Sequence, residues 1–255
     1  MFQTTDKIRK NIITPDGEEV QSYCFQRDTD ILRDSGMDKY KKVIHKWDEI
    51  FRQEGMTPPQ QKESGNRDFD KSLLWLTEAA DSVIDFGCAA GVLLFLCSHY
   101  GTTRHIGIDL SPQAIVNAQE KGKQIPERIF SFICGGVDAL ESVESSFADA
   151  AILSNIIDNL YPEDAHHVLR EMRRILKPGG RLLVKLNPFM TPEQIKEWGV
   201  KVIEGNLLDD GMILWNNSTK EWDKILETYF DVDMFKTIYY QEYDQYNRLY
   251  QLVNR

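Results

Sequence analysis

The sequence predicts an α/β protein: a doubly wound, mainly parallel seven-stranded sheet with an antiparallel strand near its end, an N-terminal helical cap and an insert after the fifth strand. Three observations predict it. Between residues 81 and 187, short apolar runs alternate with segments of helical periodicity, the pattern of strands joined by helical crossovers. A turn of small residues, Gly87-Cys88-Ala89-Ala90-Gly91, follows the first of these runs. The last two β-rich runs, 232–240 and 246–254, are joined by a short polar turn, which forces them antiparallel.

The elements follow in order. Residues 1–36 are polar, with a turn signal at Thr14-Pro15-Asp16-Gly17. From Met37 to Glu54 the residues Tyr40, Val43, Ile44, Trp47, Ile50 and Phe51 recur at helical spacing, so this stretch reads as one amphipathic helix. Residues 55–66 read as a loop and 68–78 as a second helix. Then come a strand (81–86), a buried helix (91–100), a strand (105–110) and a helix with Ser111 as N-cap and Pro112 at its first position. Strands at 128–134 and 148–155 precede a helix opening at Pro162, a Pro178-Gly179-Gly180 turn and a strand at 181–187. Residues 188–217 break the alternation, with Pro188, Pro192 and a hairpin signal around Leu208-Asp209-Asp210-Gly211. A helix at 219–229 leads into the closing strands. The domain reading is a cap over 1–66 and a sheet domain over 67–255 that carries the 188–217 insert.

Composition narrows the function. With 42% hydrophobic and 27% charged residues, the chain has the make-up of an ordinary globular protein. A formal net charge of -10 opposes nucleic acid as the main partner, because phosphate contacts need clustered cations. The basic clusters Lys7, Arg9, Lys10 and Lys41, Lys42, Lys46 read as solvated faces. Cys24, Cys88, Cys97 and Cys134 show neither CxxC spacing nor disulfide density, and the last three sit in apolar segments as small buried hydrophobes. A polar start and no run near the roughly 18 apolar residues of a membrane helix lead to the expectation of a cytoplasmic protein without a membrane partner.

In doubly wound sheets, ligands bind beyond the carboxyl ends of the strands, where strand order reverses. A dinucleotide loop needs G-x-G-x-x-G, and this turn has no third glycine at that offset. It has Asp85 two residues before Gly87, which repels a pyrophosphate and attracts an ammonium. Asp109 ends the second strand, where a carboxylate suits two ribose hydroxyls. Asp138 follows the third strand, placed for an exocyclic amine, with the Ala139 amide near a ring nitrogen. Ribose, adenine and ammonium together describe a nucleoside ligand without a polyphosphate. Each aspartate alone is also what a helix cap or strand-end turn uses.

The run Asp85-Phe86-Gly87-Cys88-Ala89-Ala90-Gly91 resembles the first motif of class I S-adenosylmethionine-dependent methyltransferases, with Ala89 in place of the middle glycine. Asp109, Asp138, the stretch FADAAILSNIIDNL and the stretch LKPGGRLLVKLNP match the later motifs in order, so the resemblance covers about residues 70–187. It implies S-adenosyl-L-methionine as cofactor. It implies cofactor contacts at Asp85, Gly87, Cys88, Ala89, Gly91, Asp109, Leu110, Asp138, Ala139, Ser154 and Asn155, with Arg67 placed to pair with the cofactor carboxylate.

The fourth-strand stretch Ser154-Asn155-Ile156-Ile157 lacks the [D/N]-P-P-[Y/F] run of enzymes of this fold that methylate adenine or glutamine amide nitrogens and looks more like enzymes acting on small molecules. Asp158-Asn159 stands where a histidine pair often follows, leaving Asp158 as a candidate base or a loop acid. The expected reaction is in-line methyl transfer to a small-molecule acceptor, with catalysis mainly by positioning and desolvation. The acceptor pocket is expected from Tyr40, Trp47, Asn155, Trp215 and Tyr243, with core packing as the alternative for each aromatic. His166 and His167 are adjacent on a helix and do not face one another, so no metal site is expected. Three readings stay open: an RNA or protein methyltransferase, a non-catalytic S-adenosylmethionine-binding protein and, more distantly, a nicotinamide dehydrogenase.

Overall fold

The computed structural model describes residues 8–13, 19–24 and 39–255, and divides the chain into two compact units, Met1–Lys42 and Val43–Arg255. In the first unit, β1 (Ile8–Ile13) and β2 (Glu19–Cys24) pair antiparallel, with Ile8 opposite Cys24 and Ile13 opposite Glu19. The turn signal at 14–17 between them and the expected helix start at Met37 lie outside the described residues. The expected cap over 1–66 differs from this division. The helix α1 (Lys41–Phe51) has all but its first two residues in the second unit, together with the loop that follows it.

The second unit is a seven-stranded sheet in the order β11-β12-β7-β6-β3-β4-β5. Its strands are β3 (Ser82–Phe86), β4 (Arg104–Asp109), β5 (Ile129–Cys134), β6 (Ala148–Ser154), β7 (Leu176–Leu186), β11 (Asp231–Tyr240) and β12 (Gln245–Val253). The pairs β3–β4, β4–β5, β3–β6 and β6–β7 are parallel, and β12 runs antiparallel to both β7 and β11. All five residues of β3 are buried, the polar Ser82 and Asp85 among them. The chain winds outward from β3 through β4 to β5, then returns to build β6 and β7 on the other side. Strand order therefore reverses between β3 and β6, and a crevice at their carboxyl ends is the expected ligand position.

Helices α2 (Arg67–Thr77), α3 (Val92–His99) and α4 (Pro112–Gly122) pack one face. Phe69, Leu73, Leu76 and Leu94 meet Val83, Ile152, Leu183 and Leu249 in one core. Helices α5 (Pro162–Ile175) and α7 (Thr219–Tyr229) pack on each other. Their ends follow from local chemistry. Asn66 caps α2 by accepting from the Asp68 and Phe69 amides, and Ser111 caps α4 by accepting from Ala114. Capping boxes open α7 (Ser218, Glu221) and α6 (Pro192–Glu197; Thr191, Gln194). The insert closes as a three-stranded antiparallel sheet, β8 (Lys201–Glu204), β9 (Leu207–Asp209) and β10 (Ile213–Trp215), whose last two strands form the hairpin signalled at 208–211. Cys88 and Cys97 are buried as expected, but Cys134 is exposed, because it ends the edge strand β5, which has a neighbour on one side alone.

Candidate active site

The turn after β3 is stitched to the end of β4: the Gly87 and Cys88 amides both donate to the Ile108 carbonyl, at 2.8 and 3.1 Å. Gly87 (φ 77°), Ala89 (φ 50°) and Gly91 (φ 79°) all adopt the left-handed region. Glycine fits there without cost; Ala89 holds the same conformation with a methyl group, so the altered motif keeps its turn. A Cβ at Gly87 would lie 2.8 Å from Ile156 Cγ1. Gly107, inside β4, is a glycine beside this turn that the motif reading missed: a Cβ there would lie 2.6 Å from Phe132 and 2.8 Å from Cys88 Sγ. A glycine inside a strand is the signal that marks such an approach.

Two acids face this turn. Asp109 Oδ2 accepts from the Ala89 amide and Oδ1 from the Ser111 amide, each at 2.8 Å. Each oxygen keeps one further lone pair for a ligand hydroxyl. Burial raises the Asp109 pKa above its ordinary value, and the two amide bonds oppose that shift. Asp85 is fully buried, and its Oδ1 has no hydrogen-bond partner. Burial first, and Asp109 second, push its pKa to about 8, while Lys185 pulls it down. The third acid, Asp138, is exposed on the short helical turn Val137–Ser142, and the Ala139 amide already donates to Gly136 O at 3.0 Å. That amide, expected to face a ring nitrogen, is engaged in the turn.

Helix α1 lies over this corner. Asp48 Oδ1 accepts from Ser111 Oγ at 2.5 Å and from the Gln113 amide at 3.2 Å. Asn117 donates to Phe51 O at 2.7 Å, and the buried Lys121 ammonium meets Glu54 at 2.6 Å. Phe51 packs on Ala89, Ala90 and Ala114, so the helix touches the turn itself.

On the other side of β3, the ends of β6 and β7 form a polar cluster. Asn155, in the left-handed region at φ 54°, donates its amide to Lys185 O at 2.7 Å and its side-chain nitrogen to Asn187 Oδ1 at 2.8 Å. Asp158 is fully buried and accepts from the Asn187 amide at 2.6 Å through Oδ2. Burial pushes its pKa to about 6, against the Asn187 hydrogen bonds and the charge of Arg248. The guanidinium of Arg248 donates to the carbonyls of Asn187 and Asn217. The Oδ1 atoms of Asn155 and Asp158 have no hydrogen-bond partner. Lys185 and Asn187 fall within the LKPGGRLLVKLNP motif, which marks no role for either, and Arg248 lies outside every motif; the β6–β7–β12 register brings the three to the site.

The remaining expected residues scatter. Arg67 is exposed at the first position of α2. Cys88 is buried, Leu110 and Ser154 are half-buried at the ends of β4 and β6, and Tyr40 is buried. Trp47 is 36% exposed and stacks on Phe51 at 5.6 Å between centroids. Trp215 is buried with its ring edge-on to Trp222 at 5.1 Å, so it fills core between the insert and α7. Tyr243 is 67% exposed in the β11–β12 turn. Neither Trp215 nor Tyr243 is drawn into the polar cluster. Among the described residues no group of His, Cys, Asp and Glu is arranged to hold a metal ion, and no helix is long and apolar enough to cross a membrane.

Residues 84–184 match the family described as a methyltransferase domain. The ribosomal protein L11 methyltransferase of Burkholderia lata is 34% identical over 112 residues, which cover 42% of this chain and 33% of that protein. The chain thus spans about a third of the length of the curated relatives it matches. Among solved structures, the N-methyltransferase NodS of Bradyrhizobium japonicum, in complex with S-adenosyl-L-homocysteine, superposes with a TM-score of 0.60 at 17% identity, covering 84% of this chain and 98% of NodS. The 1,6-didemethyltoxoflavin-N1-methyltransferase of Burkholderia thailandensis gives 0.59 at 14% identity, covering 100% of this chain and 98% of that enzyme. Residues 84–184 thus match a methyltransferase domain, and the fold around them is that of class I, S-adenosylmethionine-dependent methyltransferases.

Proposed function

We propose that the protein transfers a methyl group from S-adenosylmethionine to a small-molecule acceptor. One observation carries the reading: three acids, Asp85, Asp109 and Asp138, stand at the carboxyl ends of neighbouring strands beside a left-handed turn at the point where strand order reverses. These residues fit the cofactor. Asp109 offers two oxygens to ribose hydroxyls, and Asp85 Oδ1 and Asn155 Oδ1 are buried acceptors that an ammonium would satisfy. Gly87, Cys88, Ala89 and Gly91 shape the turn against which it would lie. When bound, the cofactor supplies a methyl group on a sulfonium, which is a good leaving group.

The chain's own work is to position the acceptor and exclude water. Helix α1, pinned through Asp48, Asn117 and Lys121, covers the turn. Where the acceptor atom carries a proton, we read Asp158 as the group that takes it once the site opens: its Oδ1 has no hydrogen-bond partner, and burial pushes its pKa to about 6, which leaves the carboxylate ionised at neutral pH. A protein acceptor is the second reading, favoured by the relatives that methylate a ribosomal protein.

Calorimetric titration with S-adenosylhomocysteine, with NADH as control, tests the cofactor. We expect micromolar binding that Asp109→Ala weakens at least tenfold, about 1.4 kcal/mol. Binding of NADH in its place would overturn the proposal.

A further inference from the structure

Lys185 has no place in the chemistry above, yet it stands at its centre. Its ammonium lies 5.2 Å from the ring centroid of Phe69 and 5.2 Å from that of Tyr240. The charges of Asp85 and Asp158 both act on it, and both carboxylates have an oxygen to spare. It nonetheless makes no hydrogen bond and no ion pair among the described residues. The Tyr240 hydroxyl has no hydrogen-bond partner among them either. The Lys185 side chain is half-buried, with an aromatic ring on each of two sides of its ammonium.

Strand order says which ligand it meets. The acids assigned to adenine, ribose and ammonium follow β5, β4 and β3 in turn. Lys185 is on β7, two strands beyond β3 and so roughly 10 Å further along the sheet edge. That lies past Asp85, the acid read as facing the cofactor ammonium, on the side where Asp158 stands.

We propose that Lys185, with the Tyr240 hydroxyl, binds a carboxylate or other oxyanion of the methyl acceptor. The inference rests on the methyltransferase reading and names its substrate class: a small acid whose anionic group lies beside the atom that is methylated. The local charge allows it. Lys185 and Arg248 together outweigh Asp158, while Asp85 is either protonated or matched by the cofactor ammonium. The Tyr240 phenol, pushed up to about 12 by burial and by Asp70, stays protonated and donates.

The test uses benzoate and its neutral partner benzamide, titrated by saturation-transfer NMR into the full chain with and without saturating S-adenosylhomocysteine. Benzoate should bind at least tenfold more tightly than benzamide. Lys185→Met should remove that preference, Lys185→Arg should restore most of it, and S-adenosylhomocysteine affinity should change less than twofold in both. Should the Met variant fail to fold, Lys185→Gln carries the same comparison. Absence of a benzoate preference in the wild type, or its survival in Lys185→Met, overturns the proposal. So does a variant that loses S-adenosylhomocysteine and keeps benzoate, since the lysine then serves the cofactor. Failure of the wild type to bind S-adenosylhomocysteine sinks the methyltransferase reading alone, because the titrations without it still read Lys185.

Discussion

The residue that most tightly limits the turn after β3 is Gly107, where a methyl group would meet the Phe132 ring and Cys88 Sγ at under 3 Å. The ring belongs to the neighbouring strand and the thiol to the turn, so neither yields without moving the other. Gly107→Ala should destabilise the fold by about 1–3 kcal/mol, the usual cost of overpacking, and urea midpoints will measure it. A loss under half a kcal/mol would show that Phe132 swings aside. Burial sets a second residue-scale effect. Asp85 is pushed from its ordinary 3.8 to about 8 and Asp158 to about 6, so between pH 4 and 8 the folded chain holds protons that the unfolded chain has released. Stability from these groups is complete below about pH 4 and is lost as pH rises through 6 and then 8. Urea midpoints from pH 5 to 9 should fall, and in Asp85→Asn the decline should be confined to the region near pH 6. An equally steep decline to pH 9 in that variant would mean that Asp85 ionises freely in the fold.

At the scale of elements, α1 shows what a sequence pattern can and cannot say. The helical recurrence of Val43, Ile44, Trp47, Ile50 and Phe51 announced an amphipathic helix, yet Trp47 and Ile50 remain exposed and Phe51 is buried. What seats the helix is polar and was invisible to hydrophobic periodicity: Asp48 on the start of α4, Asn117 on the Phe51 carbonyl, and Glu54 on Lys121. Partners some 65 residues apart in sequence leave no local signature. By contrast, Ser111-Pro112 at the start of α4 is local chemistry, so it was legible. Asp48→Ala removes the acceptor of two hydrogen bonds and should cost about 1–2 kcal/mol. Native-state hydrogen exchange will locate the loss. Protection should drop across residues 44–51 and stay unchanged in β3 and β6. A uniform drop would make α1 part of the global folding unit rather than a separately opening lid.

For the molecule as a whole, the alternation of strands and helices fixed the winding, and the winding fixed where a ligand belongs. The acids of β3 and β4 were legible because a single turn names them. The second half of the site was not, because Lys185 and Asn187 reach Asn155 and Asp158 only through the β6–β7 pairing, and Arg248 reaches Asn187 only when β12 pairs with β7. Beyond the short turn that pairs β11 with β12, no spacing in the sequence encodes which strand neighbours which. The same logic separates the two compact units. The contacts described above, from Asp48 through Asp109 to Asn155, are all made within residues 43–255. A chain of residues 39–255, which keeps α1 whole, should therefore bind S-adenosylhomocysteine within about threefold of the full chain, less than 1 kcal/mol. Calorimetry on the shortened chain decides the matter. A tenfold weaker affinity, with the urea midpoint unchanged, would assign the first unit a direct part in holding the cofactor.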